Sequence, residues 1–96
     1  MVTLETLRRE KRAEILRLAE RRGGRNVRVF GSVARGDNRE GSDLDFLVDF
    51  DAGRTLLDLI GLKLDLQELL GSAVDVVTPN SLQYVRERVL AESQAL

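Results

Sequence analysis

A chain of 96 residues with a net charge of −1, no cysteine and no histidine has room for one modest core and so for a single domain spanning residues 1–96. The two absences exclude disulfides, thiol chemistry, His- or Cys-ligated zinc and Ser-His-Asp triads. Any chemistry must rest on carboxylates, hydroxyls, Lys, Arg, backbone amides and metal. Hydrophobic residues at 43% and charged residues at 32% are ordinary for a soluble globular chain. No apolar run approaches the ~20 residues of a membrane span and the N-terminal residues lack the apolar stretch of a signal peptide, so a cytoplasmic protein without membrane contact is expected.

Leu4, Leu7, Ile15, Leu18 and Ala19 recur at approximate helical spacing, broken at Lys11. They predict a helix over 3–22, capped by Thr3 and stopped by Gly23-Gly24. Residues 1–28 hold nine Arg or Lys against four Glu, whereas residues 37–75 hold ten acids against three bases. The basic segment reads as a solvated helix with Glu5–Arg9 and Glu14–Arg17 pairs rather than as a nucleic-acid arm. The whole chain is not basic and this segment has no aromatic residue for base stacking, so direct nucleic-acid binding is not expected.

Val27 to Phe30 predicts a first strand. A polar stretch follows to Ser42, in which Ser32 opens a short helical turn. Leu44, Phe46, Val48 and Phe50 then alternate with Asp43, Asp45, Leu47 and Asp49, the period of a second strand. Asp51-Ala52-Gly53 ends it. Thr55 and Asp58 form a capping-box pattern before a leucine-rich helix that runs to Leu70 and closes at Gly71. Val74 to Val77 is a third strand, ended by Thr78-Pro79. Asn80 is the expected cap of a last helix with Leu82, Val85, Val89 and Leu90 on its apolar side.

The polar connection from Ser32 to Ser42 is eleven residues long, short for a parallel crossover, so the first two strands are expected to be antiparallel. The exit of the first, Gly31-Ser32, then lies beside Asp43 and Asp45 at the start of the second. The expected fold is α+β, with a mixed three-stranded sheet and helices mainly on one face.

That corner carries the chemistry. Asp43 and Asp45 leave one face of a strand, and two carboxylates so close repel unless a cation sits between them. Magnesium suits hard oxygen ligands and phosphate partners. Asp75 is placed mid-strand and completes the cluster if the third strand lies beside the second; otherwise it faces water at a strand edge. Gly31 lets backbone approach phosphate, and Ser32 with the amides of Val33 and Ala34 can donate to it. Arg35 and Arg39 reach the same charge or pair with Asp37 or Glu40. Asp49-x-Asp51 repeats the Asp-x-Asp spacing, but it lies about 20 Å further along the strand at ~3.3 Å per residue. Tyr84 is a half-buried helix residue or a hydroxyl near the site.

Gly31-Ser32, ten residues, then Asp43-Leu44-Asp45, with Ala34-Arg35-Gly36 and Asp75 in Val74-Asp75-Val76-Val77, resembles the minimal nucleotidyltransferases of the DNA polymerase beta superfamily over roughly residues 27–82. The resemblance implies transfer of a nucleoside monophosphate from an NTP to a hydroxyl with two metals. It implies catalytic and metal-binding roles for Asp43, Asp45 and Asp75, the last also acting on the acceptor. It implies nucleotide binding by Gly31 and Ser32, with Arg35 beside them. Stand-alone members of this size resemble antitoxins that transfer AMP from ATP to a tyrosine of a HEPN-type ribonuclease toxin, and that is the expected function. The rivals are a module that masks the toxin without catalysis and nucleotidyl transfer to a small molecule.

Overall fold

The computed structural model describes residues 2–82 and 85–96; Tyr84 lies outside them. The N-terminal helical run begins with α1 (Leu4–Thr6) and passes through a π-helical turn (Leu7–Lys11) into α2 (Arg12–Arg21). Thr3 caps it, its hydroxyl accepting from the Thr6 N–H at 3.1 Å. The π turn falls where the apolar spacing falters at Lys11. Its wider winding keeps both Leu7 and Ile15 in the core, as an inserted residue in a helix requires.

Strand β1 (Gly24–Phe30) pairs antiparallel with β2 (Leu44–Phe50), and β2 pairs parallel with β3 (Val74–Val77). The antiparallel start and the placement of β3 follow the sequence reading; two details do not. β1 begins three residues before Val27, because Gly24 and Arg25 pair with Phe50 and Asp49 across a register shift at Asn26, whose φ is +52°. A fourth strand, β4 (Gln94–Ala95), adds to the far side of β1 and gives the order β3-β2-β1-β4. Two residues have no periodicity to read, so the expected three-stranded sheet gains one short edge.

Val27 and Val29 of β1, Leu44, Phe46 and Val48 of β2, and Val74 and Val76 of β3 share one face and form the core with Leu7, Ile15, Ala19, Leu62 and Leu66. Helices α2 and α4 (Leu56–Leu70) therefore cover that face. The capping box of α4 is made: Thr55 accepts from the Leu57 N–H at 3.2 Å, and its own N–H donates to Asp58 Oδ2 at 3.2 Å. Gly71, at φ +64°, closes the helix. Leu56, Leu57, Ile60 and Leu64 stay exposed on its outer side.

The end of the chain departs from expectation. Asn80 caps no helix; it lies inside a 3-10 turn (Pro79–Ser81) capped by Thr78. Pro79 fits the first position of such a turn, and Leu82 leaves helical geometry at ψ 62°. The last helix, α5 (Arg86–Glu92), starts later and buries Val89 against the body. It packs on β1 and on the short helix α3 (Gly31–Arg35).

Candidate active site

Side chains alternate across a strand, so the residues between the core positions project from the opposite face of the sheet. The pairing aligns Phe30 of β1 with Asp45 of β2, and Asp45 with Asp75 of β3. Asp45 and Asp75 are direct neighbours on adjacent strands, which lie about 4.8 Å apart in the hydrogen-bonding direction. Gly31 follows the end of β1 and turns the chain beside Asp45. Its φ is +73°, and a Cβ built there would run into the Asp45 carboxylate. Glycine is required twice over, for the left-handed backbone and for the close approach. Ser32 follows in the first turn of α3, whose Val33 plugs into the core. Asp43 stands exposed just before β2.

The electrostatics follow from this crowding. Asp45 has a carboxyl pushed up to about 6 from 3.8, first by burial, then by the charges of Asp75 and Asp43; Arg35 opposes the shift and Glu92 adds to it. A group that resists ionising among like charges is stabilised in its charged form by a cation. The hard oxygen donors present suit magnesium, for which one or two carboxylates plus phosphate oxygens suffice. The expected three-carboxylate cluster is, however, not assembled. Among the described residues no three acidic side chains come close enough to hold one ion between them. Asp75 is half exposed and leans toward Lys63, Nζ to Oδ1 3.9 Å. It is near enough to repel the Asp45 carboxylate.

Arg35 splits its guanidinium between two carboxylates. Nε donates to Asp37 Oδ2 at 3.2 Å and Nη1 to Glu92 Oε1 at 3.3 Å. The Asp37 pairing was one of the alternatives open in the sequence; Glu92 was not. Glu92 also accepts from the Gly31 N–H at 3.3 Å, so a residue 61 positions away touches the glycine turn. Only its place near the end of an amphipathic segment was legible, and that carries no signal for such a contact. Arg39 forms no ion pair among the described residues. It lines a cleft of about 480 Å³ with Ser42, Leu44, Gly71 and Ala73, on either side of Asp43. Asp49 and Asp51 sit at the other end of β2, bound to Arg28, Asn26 and Arg25.

Residues 10–96 match the family model described as Nucleotidyltransferase domain. The chain is 45% identical over 83 residues to a protein of Thermococcus cleftensis named Protein adenylyltransferase MntA, covering 86% of this chain and 84% of that one. A solved structure provisionally assigned as a minimal nucleotidyltransferase shares 54% identity and superimposes with a TM-score of 0.86, covering 99% of this chain and 97% of the other. A second, a toxin–antitoxin crystal structure with AMP-PNP, shares the fold at a TM-score of 0.75 and 23% identity, covering 88% of this chain and 71% of the other.

Proposed function

This chain belongs to the nucleotidyltransferase domain family, and we propose that it is a single-domain protein adenylyltransferase, residues 1–96, that transfers AMP from ATP to a tyrosine hydroxyl of a HEPN-type toxin. It acts in the cytoplasm as that toxin's antitoxin. The observation that carries the reading is the Asp45 carboxylate, pressed against the Gly31 backbone and directly opposite Asp75. A relative named as a protein adenylyltransferase supports the reaction. A toxin–antitoxin structure of the same fold holding an ATP analogue supports the nucleotide and the class of partner.

Ser32 and the first amides of α3 hold the triphosphate beside Gly31. Asp43 and Asp45 are the residues that would hold magnesium, two ions by family resemblance, which when bound would offset the triphosphate charge and favour attack at the α-phosphorus. Asp75 faces the acceptor and takes the hydroxyl proton as the oxygen bonds to the α-phosphorus; pyrophosphate leaves with the electrons of the broken P–O bond. The acceptor comes on a second protein, as the relative named a protein adenylyltransferase and the toxin–antitoxin structure of the same fold support.

The test is incubation of the chain with ATP, magnesium and the HEPN-type partner, read by mass spectrometry. AMP on a partner tyrosine with the wild type, and none with Asp43→Asn, is the expected result. If the wild type silences the toxin without modifying it, and Asp43→Asn silences it equally, the chain is a masking module and the enzymatic reading fails.

A further inference from the structure

We propose that Glu92, near the C-terminus, is a positioning residue for the phosphate-binding turn. Its carboxylate pins Gly31 and Arg35 in the geometry that receives ATP. The inference rests on the nucleotide-transfer reading above.

Gly31 is the one residue of the turn that cannot be held through a side chain. It needs a positive φ and tolerates no Cβ beside Asp45, and a glycine released from contacts samples both signs of φ. Its N–H is the remaining handle, and Glu92 Oε1 accepts from it at 3.3 Å. The same oxygen accepts from Arg35 Nη1 at 3.3 Å, so one atom ties the first residue of α3 to its last. With Asp37 on Nε at 3.2 Å, the Arg35 guanidinium is held from two sides as a bracket across the turn.

A clamp works only if its own base is fixed. Glu92 ends α5, and the chain then turns directly into β4, where Ala95 and Gln94 pair with Arg28 and Val29 of β1. The Leu96 N–H donates to the Val27 carbonyl at 3.1 Å. From the N-terminal helical run, Arg8 donates to the Ala95 carbonyl through Nε at 3.1 Å and Nη2 at 2.7 Å, and Arg12 donates to the Leu96 carbonyl at 2.9 Å. These bonds fix the C-terminal segment to the N-terminal helical run and to β1, whose last residue, Phe30, directly precedes Gly31. Glu92 itself is only 24% exposed. A carboxylate here also lies within Coulombic reach of Asp45, an unfavourable place for another negative charge. A half-exposed ion pair with Arg35 contributes little stability to offset that. The return is the fixed turn.

ATP–magnesium binding to the full chain, measured by calorimetry, separates position from charge. Glu92→Asp keeps the charge but withdraws the oxygen by one methylene. It should weaken ATP binding roughly five- to tenfold, as loss of hydrogen bonds to the turn predicts, and Glu92→Ala should do the same. Glu92→Gln keeps an oxygen at the same reach and should bind within about twofold of the wild type. Both conservative variants should melt as cooperatively as the wild type, which keeps the result readable if the alanine variant does not fold. Tighter ATP binding by Glu92→Gln would make Glu92 a competing anion and overturn the proposal. Equal affinities for wild type, Asp and Gln variants would also overturn it, leaving Glu92 a contact without a role at the turn. A wild type that binds no ATP would instead bring down the transfer reading and this inference with it.

Discussion

Strand β2 carries the same pattern at both ends, Asp43-Leu44-Asp45 where it begins and Asp49-Phe50-Asp51 where it finishes. The two ends are settled in opposite ways. At the finish, Arg28 Nη2 donates to Asp49 Oδ1 at 3.2 Å, Asn26 donates to Asp49 Oδ2 at 3.0 Å, and Arg25 pairs with Asp51 at 3.0 Å. At the start, Asp45 faces Asp75 and Asp43, and the one opposing cation acting on it, Arg35, is already shared between Asp37 and Glu92. One pair of acids contributes to the fold, and the other is stored as an unmet demand for positive charge. The pattern in the sequence does not distinguish them; the neighbouring strands do.

The largest test of that contrast exchanges the charges one at a time. Asp45→Asn should lower nucleotidyl transfer by about a hundred- to a thousandfold, the scale of losing a main electrostatic contributor to the transition state. It should leave the stability of the metal-free chain unchanged or higher, since it removes a half-buried charge from among like charges. Asp49→Ala should do the reverse. Transfer should stay within about twofold, while stability should fall by about 1–2 kcal/mol, because Arg28, only 16% exposed, loses its counter-charge. Transfer assays and thermal melts of the two variants check both halves. Comparable destabilisation by Asp45→Asn, or loss of transfer with Asp49→Ala, would erase the distinction between the ends.

A smaller effect comes from the glycines that flank the two ends. Gly31, at φ +73°, leans on Asp45, whereas Gly53, at φ +88° just after β2, faces open space. Alanine at Gly53 should cost only the left-handed strain, about 1–2 kcal/mol, and leave transfer intact. Alanine at Gly31 carries the same strain and also drives a methyl group into the Asp45 carboxylate, so it should cost more stability and suppress transfer too. Equal melting shifts with full activity in both variants would mean that the contact between Gly31 and Asp45 has no consequence.

Much of this site could be read before the fold was known, for local reasons. Alternation placed Asp43 and Asp45 at the start of a strand, connection length made β1 and β2 antiparallel, and the valines around Asp75 marked a mid-strand position that parallel pairing then set opposite Asp45. The capping box of Thr55 and Asp58 is equally local. What escaped was non-local. Gly24-Arg25-Asn26 looks like a turn and becomes strand only because Asp49 and Phe50 lie across from it. Gln94-Ala95 is a strand only because β1 offers an open edge. Glu92 reaches Gly31 from 61 residues away, which no periodicity encodes. Lys63 near Asp75 was hidden in a leucine-rich helix for the same reason.

The smallest expected effect is a pH dependence that belongs to the start of β2 alone. Asp45 titrates at about 6 in the folded chain against an ordinary 3.8. Between those values the folded chain holds a proton that the unfolded chain has released, so the unfolded state binds fewer protons and stability falls as pH rises. This group's contribution is fully present below about pH 4 and is lost as pH passes through about 6. In Asp45→Asn the side chain is neutral throughout and the contribution vanishes. Chemical denaturation of wild type and variant without magnesium, from pH 4 to pH 7, should therefore show the wild type losing stability relative to the variant, with most of the loss complete by pH 7. Partial exposure of Asp45 keeps the difference modest. Magnesium with ATP should flatten it, because the charged form is then the favoured one. A wild-type and variant pair whose stabilities run parallel across that range would show that the start of β2 is as well compensated as its finish.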